Sequence, residues 1–183
     1  MTTLSHYIQA FQSLHTAKVN GVKAPHKAVL LLAVIDLVEE RVIGSPRIKL
    51  TDALNNRFNE IWMRYIGHSA IFIADICKPF YHMQHEPFWN LVEKQEAMMA
   101  AEPVVPSHER EDLPKGGYTV KAMRKGYEYA EIDEALFALL QNADNRALLR
   151  VLLINTYLTN QPTKTMPRIS ALASVLLTMM AVA

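Results

Sequence analysis

Two short segments carry the residues best suited to chemistry. In Ala24-Pro25-His26-Lys27-Ala28-Val29-Leu30-Leu31-Leu32-Ala33, an imidazole and an ammonium stand at the start of a strongly apolar run that reads as a helix opened by Pro25. Backbone N–H groups and the helix dipole favour an anion at such a start, so His26 and Lys27 suit a phosphate; the plainer reading is a polar helix end open to solvent. In Lys78-Pro79-Phe80-Tyr81-His82-Met83-Gln84, followed by His85 and by Phe88-Trp89, aromatics and proline interleave with basic and amide side chains. The plainer reading there is the core face of a hairpin. It covers Phe80, Phe88 and Trp89 but not the polar members.

Other chemistry finds less support. Six of the seven histidines precede Val92, yet no His-Glu-x-x-His occurs, and His82 and His85 have neither helical i, i+4 spacing nor a thiolate partner. Neither a metal nor another cofactor is expected. There is no Gly-x-Ser-x-Gly and no glycine-rich phosphate loop, while Gly116-Gly117 signals a turn. Cys77 lies in an apolar stretch, where a thiol is buried and inert rather than activated.

The whole chain sets the bounds. Its 183 residues, 50% hydrophobic, suffice for one domain with a real core but not for two large ones. Nineteen Lys plus Arg against eighteen Asp plus Glu leave a net charge of +1, so any anion site must be local. A lone cysteine excludes an internal disulfide and suits a reducing, cytoplasmic setting. Met1 to Gln12 is too polar for a secretory signal, and the apolar Ile169 to Ala183 is shorter than the ~20 residues that span a bilayer. It reads as a buried terminal helix or as the stub of a shortened chain. No membrane partner is expected.

The elements that position the two segments are mainly helical. Leu4, Tyr7, Ile8, Phe11 and Leu14 give an amphipathic first helix ended by Asn20-Gly21, and Val29 to Val38 a central second one. Arg47 to Leu50 alternates as a short strand, and Thr51 is placed to cap a helix carrying Leu54, Phe58, Ile61, Trp62 and Tyr65. After the apolar Ala70 to Cys77, the two aromatic runs read as a hairpin around His85-Glu86-Pro87. The expected class is therefore mainly α with small β-hairpin elements, a winged-helix-like DNA-binding domain with closing C-terminal helices. Its expected divisions are a core at 1–92, an exposed connector at 93–117, a hairpin and closing helices at 118–160, and an apolar tail at 161–183. Within the third division, Tyr118 to Tyr127 reads as a hairpin, Asp133 as the cap of a helix through Leu140, and Asp144 as the cap of one through Leu158.

Taken in order, Ala24 to Glu39, Pro46 to Trp62 and Lys78 to Leu91 resemble the sulfur-binding domain of phosphorothioate-dependent restriction endonucleases. The likeness runs from about Leu4 to Leu158, and the ordered set is more specific than any piece of it. It implies a targeting domain for double-stranded DNA in which a non-bridging phosphate oxygen is replaced by sulfur. The sulfur would rest in a shallow apolar cavity beside basic residues. By this likeness Pro79, Phe80, Tyr81 and His82 form the cavity wall, Pro25, His26 and Lys27 face it, and Gln84 or His85 reaches base edges. Lys78 fits less well, because its charge disturbs an apolar cavity. The family joins this domain to an HNH nuclease, and no such set follows the closing helices here. This chain is therefore expected to bind and not cut, with a nuclease domain or subunit as a possible partner. Two alternatives stand beside this reading. A winged-helix-like regulator would bind unmodified DNA equally well, and a metal-dependent hydrolase using His26, His82 and His85 would carry metal when purified.

Overall fold

The computed structural model describes residues 3–94 and 117–159. Its centre is α2 (His26–Glu39), buried at Ala28 through Ile35 and again at Leu37 and Val38. A helix apolar on every side is stable only when surrounded. The neighbours that cover it include α3 (Asp52–Tyr65), α4 (Cys77–His82), α6 (Glu134–Leu140) and α7 (Ala143–Leu153). The first helix, α1 (Thr3–Gln12), turns Tyr7 and Phe11 inward, where both rings meet Phe88. Thr51 caps α3 as its spacing predicts, its hydroxyl accepting the Leu54 N–H at 3.2 Å. Leu54, Phe58, Ile61 and Trp62 then form the buried stripe.

The described residues are mainly helical, with two small antiparallel sheets among them. One is the hairpin of β1 (Lys18–Val19) and β2 (Val22–Lys23). The other has the order β3-β5-β4, from β3 (Arg47–Ile48), β4 (Trp89–Glu93) and β5 (Tyr127–Ile132). Ala130 of the central strand lies opposite both Ile48 and Leu91. Because β5 joins strands from the first half of the chain, the closing segment shares one core with it.

Several expectations are corrected. Asn20-Gly21 does not end α1. It is the two-residue turn of the β1–β2 hairpin, with positive φ of 52° and 80° at the two positions, the geometry that favours Asn-Gly. Residues 79–84 do not pair with 88–92. Lys78 through His82 are helical, a 3₁₀ turn follows at Met83–His85, and β4 pairs with β5 instead. Pro79 is tolerated in the first turn because a helix start leaves its N–H groups unbonded. Residues 118–127 form no hairpin either: Thr119 caps a short helix α5 (Val120–Gly126), and Tyr127 opens β5.

Asp133 stands at the N-cap of α6, but its carboxylate accepts the Tyr7 hydroxyl at 2.8 Å rather than a helix N–H. That bond, after burial, holds the Tyr7 phenol up at about 12. The cap of α7 is Asn142, not Asp144; its side chain accepts from the N–H groups of Asp144 and Asn145. The helix ends in a wider π turn, Ile154–Leu158. Most of the 93–117 connector and the 161–183 tail lie outside the described residues. No described helix is long and apolar enough to cross a membrane.

Candidate nucleic-acid interface

The start of α2, the loop before α4, and the face of α4 converge on a cavity of about 660 Å³. The start of α2 is held in place by the β1–β2 hairpin, closed at its base by the Ala24 N–H donating to the Ala17 carbonyl at 2.8 Å. The loop is held by Ser69, whose hydroxyl accepts the N–H groups of Ile71 and Phe72, both at 3.2 Å. Asp75 then accepts the Cys77 N–H at 2.9 Å and fixes the entry into α4.

Six of the ten residues singled out from the sequence line this cavity: His26, Lys27, Lys78, Pro79, His82 and His85. Helical geometry explains the selection, because 78, 79 and 82 share one face of α4 and 85 follows three residues on. Phe80 and Tyr81 fall on the opposite side. Phe80 is buried edge-on against Trp89, with ring centroids 5.6 Å apart. Tyr81 packs against Tyr118 and Tyr127. Both belong to the core, so their expected place in the cavity wall is corrected. Gln84 is exposed and outside the lining, and Pro25 is buried at the N-cap of α2 without lining it.

His26 lies across Trp62, with ring centroids 4.7 Å apart, and Nε2 is 2.9 Å from the Ile73 carbonyl. Burial pushes its pKa below the usual histidine range against the pull of that carbonyl. The ring is therefore neutral near pH 7, and Nε2–H donates to Ile73.

Lys27 departs furthest from expectation. It is buried, and its ammonium donates to Glu86 Oε1 at 2.5 Å instead of standing ready for a phosphate. A charge removed from water needs a partner, and here that partner is an equally buried carboxylate. Glu86 also accepts the His15 N–H at 2.9 Å and faces His15 Nδ1 at 3.3 Å. His82 Nε2 lies 2.7 Å from the Tyr118 hydroxyl, and its ring stacks on His85 with centroids 5.9 Å apart.

The residues that sequence reasoning missed are mostly apolar. Val19, Ile71, Phe72 and Ile73 line the cavity alongside Pro79, and Ile73 is 83% exposed at its edge. The usable signal is the apolar stretch from Ala70, in which Phe72 and Ile76 are buried while Ile73 stays exposed. The result is an oily strip bordered by Lys78 and imidazoles. Asp75 is the carboxylate in the described lining, and it is already engaged with the α4 backbone.

Two other clefts suit an anion less well. One of about 450 Å³ is occupied by ion pairs among α2, α3 and α7. There Arg57 holds both oxygens of Glu40 at 2.8 and 3.1 Å, Arg150 holds Asp36 at 2.8 Å, and Arg150 also bonds Glu39. The other, about 990 Å³, mixes Lys49, Lys94 and Arg124 with Asp52, Glu93 and Glu128. Arg124 is spent on the Leu50 carbonyl and the Asp52 carboxylate, each at 2.6 Å.

Cys77 is buried, and burial pushes its thiol up to about 11, the character of an inert cysteine. Among the described residues, no three His, Cys, Asp or Glu side chains gather as metal ligands would. The chain matches no protein-family model and no curated protein, so the functional reading rests on its residues and their geometry.

Proposed function

We propose that this chain is a DNA-binding module that reads a phosphorothioate linkage in duplex DNA, the targeting part of a modification-dependent restriction system. The observation that carries the reading is the convergence of the His26–Lys27 helix start and the Lys78–Pro79 helix on one cavity. These lie in two of the three segments on which the resemblance rests. Sulfur is larger, more polarizable and less well hydrated than oxygen, so Val19, Phe72, Ile73 and Pro79 favour it by contact. Lys78 at the border supplies the affinity for backbone phosphate that does not depend on sequence.

The wider framework supports duplex DNA as the partner. From α2 onward the described order is helix, strand, two helices, a 3₁₀ turn, strand, short helix and strand, with β5 pairing between β3 and β4. We read this order as a variant of the winged-helix plan, and on that reading α4 takes the place of the helix that enters the major groove. The same plan serves a regulator of unmodified DNA, which is the competing reading. No catalytic step is assigned to this chain, and the reading places its work in the cytoplasm beside the DNA it inspects. Competition separates the two readings. A labelled phosphorothioate duplex is displaced by the same duplex with or without sulfur, and the reading requires the modified competitor to act at much lower concentration. Equal displacement favours the regulator.

A further inference from the structure

We infer that Glu86, which lies behind the cavity wall, sets the preference for sulfur over oxygen by withholding the Lys27 charge from the bound phosphate. This inference rests on the reading of the cavity as a phosphorothioate site. Glu86 is not among the lining residues, whereas Lys27 and His15, the two groups it holds, both are. The Lys27 side chain is 8% exposed and that of Glu86 2%. The pair is thus closed off from water, and what Lys27 presents to a ligand is its stem rather than a free ammonium.

The consequence is chemical selectivity. An anionic oxygen accepts a short, strong hydrogen bond from an ammonium, and sulfur accepts a weaker one. A free ammonium in the cavity would reward the ordinary phosphate more than the modified one. With that ammonium paired to Glu86, the cavity offers the apolar Val19, Ile73 and Pro79 together with the neutral His26 ring. An oxygen entering there gives up water for little, while sulfur gives up less and gains contact. Glu86 is accordingly a positioning residue that acts through Lys27.

The test uses the full chain and three forms: wild type, Glu86→Gln, and the double variant Lys27→Met with Glu86→Gln. Each is titrated with the plain and the phosphorothioate duplex over a range of salt. In Glu86→Gln the released ammonium should steepen the salt dependence by about one phosphate contact. The preference for sulfur should fall by about tenfold, mainly because the plain duplex binds more tightly. In the double variant both charges are gone, a replacement that buried pairs tolerate, so wild-type slope and preference should return.

An unchanged slope and preference in Glu86→Gln would overturn the inference. So would a double variant whose slope is flatter than wild type by one contact, since Lys27 would then touch phosphate after all. That second comparison stands even if Glu86→Gln fails to fold. Wild type binding the two duplexes equally would overturn the functional reading itself, while the slopes on plain DNA would still show whether Glu86 restrains Lys27. A chain that binds no duplex overturns both.

Discussion

Tyr157 joins the last described turn to the first helix, and removing its hydroxyl alone should unfasten that junction. The hydroxyl donates to the Gln12 carbonyl at 3.0 Å and accepts the Leu14 N–H at 3.0 Å. Tyr157→Phe keeps the buried ring, so no cavity opens and the hydrophobic contribution is unchanged. What is lost is the partner of a buried N–H, which costs about 1–3 kcal/mol, while the carbonyl of exposed Gln12 recovers water and adds little. A central value of ~2 kcal/mol lowers the folding constant by roughly 30-fold. With a urea dependence of ~2 kcal/mol/M, the unfolding midpoint should fall by about 1 M. Equilibrium urea unfolding measures this, and hydrogen exchange at the Leu14 amide localises it. A midpoint within about 0.3 M of wild type and unchanged protection at Leu14 would refute the reasoning.

Three further outcomes follow from the site. Lys27→Ala leaves Glu86 buried without its cation and should cost about 3–5 kcal/mol in urea unfolding; a loss below ~1 kcal/mol would mean that the pair is solvated. Lys78→Ala removes an exposed cation from the cavity border, so binding to plain and modified DNA should weaken alike, and the salt slope should fall by about one contact. An unchanged slope removes Lys78 from the interface. His26 titrates below its ordinary value of 6.5 when folded, so its contribution to stability is full above that pH and is lost as pH falls through 6.5 toward the folded value. Urea midpoints between pH 7.5 and 5.5 should therefore decline more steeply in wild type than in His26→Asn, and parallel declines would contradict the assignment.

The helices were legible where a local rule determined them. Thr51 capping α3 and the helical spacing of Tyr7 and Phe11 need no distant partner. The hairpin turn at Asn20-Gly21 is hard to read locally because strands of two residues show no alternation around it, although Asn-Gly is a strong hairpin signal. Phe80, Phe88 and Trp89 suggested two paired strands by composition. Yet β4 finds its partner in Tyr127–Ile132, across an intervening segment that no local pattern bridges.

The cavity was half legible for a related reason. His26, Lys78, Pro79 and His82 stood out by residue type, whereas the engagement of Lys27 by Glu86 joins positions 59 apart. Once α4 is helical, the separation of Pro79 and His82 from Phe80 and Tyr81 follows from its periodicity. Reading it as a strand placed them together.

The central claim is a preference for sulfur, and the affinity of purified protein for one duplex carrying, or lacking, a single phosphorothioate of the stereoisomer made in cells tests it most directly. Contact of the sulfur with the oily strip, about 40 Å² at ~25 cal/mol/Å², contributes ~1 kcal/mol. The hydration that an anionic oxygen loses in the same place adds about 1–2 kcal/mol. Together these predict a dissociation constant roughly 30- to 150-fold lower for the modified duplex at fixed salt. Equal constants for the two duplexes would contradict the account.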